Sequence, residues 1–109
     1  MKIEQMNNCL VVRFEETRLD ASSAPNFVNA VCNAFEQLAD SVQSVILDMK
    51  QIQFADSRGL GSIVLIFHKL KANLLLCGAG EQVEKLIKLT RLDSVLQLYQ
   101  DIPSALKDA

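Results

Sequence analysis

The sequence predicts one α/β domain over residues 1–109, with a mostly parallel sheet of four to five strands, an amino-terminal hairpin and about four flanking helices. Three observations carry this expectation. The runs Val45–Leu47 and Leu74–Cys77 are apolar without alternation, the pattern of strands covered on both faces. Segments with apolar residues at helical spacing lie between such runs, and strands that alternate with helices pair in parallel. A chain of 109 residues, 50% of them apolar, can build one core and is too short for two.

Taken in order, Ile3–Met6 and Cys9–Phe14 read as short strands joined across an Asn7-Asn8 turn. Ser22, Ser23 and Pro25 mark the start of a helix whose core stripe is Phe27, Val31, Phe35 and Leu38, with Ala30 and Ala34 beside it. The Val45–Leu47 strand ends at Asp48, which is expected to bond to the turn that follows. After a second helix comes Leu74–Cys77, closed by Gly78 and Gly80. Val83, Leu86, Ile87 and Thr90 form the stripe of a third helix, with Glu81, Glu84, Lys85 and Lys88 outward. Leu96–Tyr99 reads as a short edge strand, and Pro103 opens a final helical turn or two through Leu106.

The stretch from Val45 to Leu70 organises the rest: strand, tight turn, helix. Asp56 is a natural N-cap, so Ser57 falls on the first helical residue. Unpaired N–H groups and the positive end of the helix dipole meet there, and a phosphate on Ser57 would be stabilised by both. Leu60, Ile63, Val64, Phe67 and Leu70 suffice for a core-facing stripe. Leu65 and Ile66 are then surplus, either because the helix is broadly buried or because they form a docking surface beside the serine. Gly61 costs about 1 kcal/mol relative to Ala inside a helix, which predicts a close approach to the sheet or to a partner.

Asp56-Ser57-Arg58-Gly59-Leu60-Gly61, following Val45-Ile46-Leu47-Asp48, resembles the signature of the STAS family, the anti-sigma factor antagonists of bacterial partner switching. Leu19-Asp20 with Ala21 to Pro25 resembles the family segment that enters its first helix, and Leu89-Thr90-Arg91-Leu92-Asp93 its Ser/Thr-Gly-Leu segment, so nearly the whole chain is covered. The resemblance implies that Ser57 is the phosphorylation site of an ATP-binding anti-sigma serine kinase, reversed by a phosphatase. The expected partner surface is then Asp20, Asp56, Ser57, Arg58, Gly59 and Gly61, with the surplus apolar Leu65 and Ile66 added where they form a docking surface and not part of a broadly buried helix. The unphosphorylated form would bind the kinase and release a sigma factor; phosphorylation would end binding. The alternative is a constitutive STAS subunit or regulatory module, in a lipid-transport ABC complex with a transporter subunit as partner or in another bacterial signalling assembly. Two departures stand out: Arg58 replaces a small hydroxyl residue, and Lys71-Ala72-Asn73 is shorter than the family's Gly-Gly turn.

Other chemistries fit less well. Eleven basic against 13 acidic residues, a net charge of −2, argue against nucleic acid, and Lys69, Lys71, Lys85, Lys88 and Arg91 read as solvated surface. Cys9, Cys32 and Cys77 read as small core hydrophobes, and no spacing suggests a metal site or another cofactor. The longest apolar run, Ile63–Phe67, is far below the roughly 20 residues of a membrane span, and Met1–Asn8 has no signal-peptide core, so a cytoplasmic protein is expected. Ala55-Asp56-Ser57-Arg58-Gly59 nearly matches a hydrolase nucleophile elbow. The one histidine, His68, lies roughly 16 Å further along the same helix, out of reach of Ser57, so no enzyme is expected. Gly59-Leu60-Gly61 and Gly78-Ala79-Gly80 lack the third glycine of a dinucleotide loop, having Val64 and Val83 there.

Overall fold

A computed structural model describes residues 1–109. Two antiparallel strands, β1 (Lys2–Met6) and β2 (Cys9–Arg13), open the chain, with Asn7 at φ 55° in their turn. A two-residue strand β3 (Arg18–Leu19) precedes α1 (Ala24–Leu38); then come β4 (Ser44–Asp48), a second two-residue strand β5 (Phe54–Ala55) and α2 (Ser57–Lys69). β6 (Asn73–Cys77), α3 (Glu81–Leu89), a 3-10 turn at Leu92–Ser94, β7 (Gln97–Tyr99) and α4 (Ile102–Asp108) complete it. The main sheet has the order β1-β2-β4-β6-β7, parallel throughout except for the β1–β2 hairpin, and β3 and β5 form a separate parallel ribbon.

Period-two alternation along the central strands divides the core. Leu10, Val12, Val45, Leu47, Leu74 and Leu76 face the buried sides of α1, α2 and α3. The intervening residues Cys9, Val11, Ile46, Leu75 and Cys77 face the short α4 through Ala105. Both faces are therefore covered, as the unbroken apolar runs require. The three cysteines are free, and burial pushes the Cys77 thiol up to about 12, with Asp48 and Asp101 adding to the shift.

Three local expectations are corrected. Ile66 is fully buried, so it is no docking residue: with Gly59, Leu60 and Ile63 it forms the core stripe of α2, and Val64 turns half outward instead. A helix advances 100° per residue, which puts positions 59, 63, 66 and 70 within one narrow sector. Close approach falls on Gly59 and not on Gly61: a Cβ at Gly59 would lie 1.9 Å from the Leu19 carbonyl oxygen, whereas one at Gly61 would meet nothing within 4 Å. Thr90 is exposed, its hydroxyl donating back to the Leu86 carbonyl at 2.9 Å. The β3–β5 ribbon is an addition that two-residue strands hide from any periodicity test.

Arg91 follows the C-cap of α3 at φ 59°, the left-handed conformation that the resembled family segment fills with glycine. Gly59→Ala is expected to destabilise the fold by about 1–3 kcal/mol in urea denaturation, because backbone must give way, while Gly61→Ala is expected to stabilise it by about 0.5–1 kcal/mol. Arg91→Gly is expected to add about 1 kcal/mol in the same assay, by relieving the left-handed strain of a side chain with a Cβ.

Candidate functional site

The ribbon sets the site. Thr17 carbonyl oxygen accepts from Gln53 N–H at 2.7 Å and Phe54 N–H at 3.2 Å; Arg18 then pairs with Phe54, and Leu19 with Ala55. Leu19 carbonyl oxygen accepts from Asp56 N–H at 3.3 Å. Because the two strands are parallel and in register, Asp20 and Asp56 leave their carboxyl ends side by side, each leading into a helix.

Asp56 caps α2 as expected: its backbone is extended (φ −109°), and its Oδ1 accepts from Gly59 N–H at 2.8 Å. Its carbonyl accepts from Leu60 N–H, which leaves the N–H groups of Ser57 and Arg58 as the free donors of the first turn. Ser57 is exposed, and no side-chain hydrogen bond within the chain engages its hydroxyl. Arg58 is exposed too and enters no ion pair. Along the outer side of α2, Ser57, Gly61 and Leu65 follow at four-residue intervals with His68 beyond them, and Leu65 is 45% exposed.

Asp20 is built in more firmly than a surface carboxylate. It accepts from Ser22 Oγ at 2.6 Å, Ser22 N–H at 3.0 Å and Arg18 Nε at 3.1 Å, while its carbonyl accepts from Ser23 and Ala24 N–H at the start of α1. The Ser22 hydroxyl, and then the Arg18 guanidinium, hold its pKa down to about 2. Arg18 also lies 4.6 Å from the centroid of the Phe54 ring, itself an exposed aromatic.

One contributor went unforeseen. Gln82, in the first turn of α3, bonds through its side-chain amide to both the N–H and the carbonyl of Ala55, each at 2.9 Å. A lone glutamine in an amphipathic helix carries no signal of such a role. Asp48 accepts from Lys50 N–H at 3.1 Å, as its strand-ending role predicts, and Gly78 (φ 71°) turns tightly against it, so this glycine serves a backbone turn. Gly59, Asp20, Asp56, Ser57 and Arg58 are brought together, whereas Leu65 lies two turns along α2 from Ser57.

The sequence matches the family model of the STAS domain over residues 1–105. The chain belongs to the STAS family. Among solved structures, an anti-sigma factor antagonist from Mycobacterium paratuberculosis superposes with a TM-score of 0.85 at 25% identity, covering 98% of this chain and 90% of that one. The Bacillus cell fate determinant SpoIIAA in its phosphorylated form gives 0.70 at 16% identity, over 99% and 98% of the two chains. The murine Solute Carrier 26 family member A9 anion transporter gives 0.80 at 16% identity, over 94% of this chain and 18% of the transporter. The last two show the shared STAS fold. In this STAS chain no helix is long and apolar enough to cross a membrane.

The depressed Asp20 pKa fixes the sign of a pH effect. A carboxylate whose folded pKa lies below its unfolded value of about 3.9 contributes stability above that value and loses it as pH falls through the folded pKa. Between pH 4 and about 2 the chain is therefore expected to lose stability that the Asp20→Asn variant never had; thermal melting of the two proteins across that range should converge.

Proposed function

We propose that this STAS domain is a phosphorylation-controlled anti-sigma factor antagonist. The observation that carries the reading is the exposed, unbonded Ser57 hydroxyl at the start of α2, beside two free backbone N–H groups. The unphosphorylated form binds an anti-sigma serine kinase in the bacterial cytoplasm through the Ser57 turn, Asp20, Arg58, Gly61 and Leu65, and a sigma factor is released. Phosphorylation adds about −1.5 to −2 charge at a helix end that accommodates it, and a phosphatase removes it. The fold is retained, and the change lies in what the surface presents: a dianion beside Asp56 repels an apolar or acidic partner face. The Mycobacterium antagonist of similar fold supports this reading.

A second reading rests on Arg58. Exposed and unpaired, it occupies the position where the family's small hydroxyl residue would stand, and suits a permanent contact in a partner groove. The chain would then be a constitutive subunit or regulatory module of a transport or signalling assembly, and a STAS fold inside an anion transporter is in keeping with it. Ser57→Ala and Ser57→Asp variants, used as baits in extract of the native cell, separate the two. Capture of an ATP-binding kinase by Ser57→Ala with at least tenfold less by Ser57→Asp is expected. Equal capture of a transporter ATPase or permease by both, lost in Arg58→Ser, would replace the switch by the subunit.

A further inference from the structure

β5 is two residues long and pairs along one edge only, with another two-residue strand. Its other edge would present bare peptide groups, and Ala55 is 1% exposed, so water cannot satisfy them. Gln82 does. Its Oε1 accepts from Ala55 N–H and its Nε2 donates to the Ala55 carbonyl, both at 2.9 Å, so one side-chain amide repeats the pair of bonds that a neighbouring strand would exchange. Ala55 directly precedes the Asp56 cap and stands two residues before Ser57.

We infer that Gln82 is a positioning residue that holds the serine turn from α3. Release of its amide leaves both Ala55 groups without partners in a buried place. They recover hydration only if β5 lifts away, and Asp56, the next residue, is carried out with them as its N–H parts from the Leu19 carbonyl. Its hold on Gly59 N–H is lost in the same movement. Local opening of the Ala55–Gly59 segment is thereby governed by an element that is otherwise anchored at Val83 and Ile87. The importance of this control for regulation rests on the phosphorylation reading; the control itself does not.

The full-length, unphosphorylated chain serves for the test, with amide hydrogen exchange followed by NMR in Gln82→Ala and in Gln82→Met, which keeps length and apolar packing but cannot bond. In both variants the protection of Ala55 and Gly59 N–H is expected to fall at least about tenfold, the size set by two lost hydrogen bonds, and to stay below that of Ile46 and Leu75, whose exchange through global unfolding also feels the loss. Trypsin cleavage after Arg58 should quicken in parallel, since it tracks the population of the open turn. Wild-type protection at Ala55 in Gln82→Met would overturn the inference, because packing and not the amide would then hold the turn. Protection of Ala55 and Gly59 equal to that of Ile46 and Leu75 in the variants would overturn it as well, by showing that the turn opens only with the whole fold. No kinase enters the assay, so a failed Ser57 switch leaves its result standing.

Discussion

One carbonyl oxygen, that of Leu19, fixes where the candidate site can be. It accepts from Asp56 N–H, and the first turn of α2 presses so closely on it that the space a Cβ would take at Gly59 is already filled. Backbone against backbone is the least adjustable contact a protein can make, since no rotamer can yield. The start of α2 is therefore located by the β3–β5 ribbon and not by the main sheet alone. Asp56, Ser57 and Arg58 inherit that placement. Asp20 directly follows the strand that carries Leu19, so Asp20 and the Asp56 cap are joined through one short pairing.

The ribbon itself has few means of support. Two residues on each strand bury little, and a pair of that size would not persist alone. Its stability is borrowed: Leu19 and Ala55 are buried in the large core, Gln82 completes the free edge of β5, and Arg18 covers Phe54 from outside. The contrast with the sheet is marked. Central strands flanked by apolar residues on both faces would survive many surface changes, whereas the serine turn depends on a handful of polar contacts. On the proposed reading this is a suitable division, since a site that must be gripped by a kinase is drawn from the less stable part of a fold.

The sheet and the three larger helices were legible because burial writes a period into a sequence, and these elements are long enough to show it. Val45–Leu47 and Leu74–Cys77 needed no more than their composition. Asp56 was readable as a cap because capping demands a short acceptor before an apolar stripe, and the first helical serine followed by position alone. What escaped was geometry without a period. Gln82 contacts a peptide 27 residues away, and nothing local in the chain encodes that distance. The assignment of Ile66 failed because several apolar residues in succession allow two neighbouring stripes, and the choice between them depends on the angle at which α2 crosses the sheet. Gly61 and Gly59 were confused for a related reason: the glycine that matters is identified by what lies opposite it, here Leu19.

The charge around Ser57 bears on how a switch there would work. Asp20 and Asp56 are both engaged, one by Ser22 and Arg18, the other by Gly59 N–H, so neither carboxylate is available to draw a basic partner strongly. Arg58 is the unpaired charge at the helix end. On the proposed reading it would offer a cation to the partner before phosphorylation; afterwards a phosphate one residue away, held by the free N–H groups of the first turn, would offset that cation and leave a net negative surface. The sign presented to a partner would reverse over a few ångströms with no movement of the sheet. A small hydroxyl residue at position 58 could supply only the second of those two states. On the proposed reading Arg58 thus enlarges the electrostatic contrast available to the switch, and by the same token would suit a partner whose docking face is acidic.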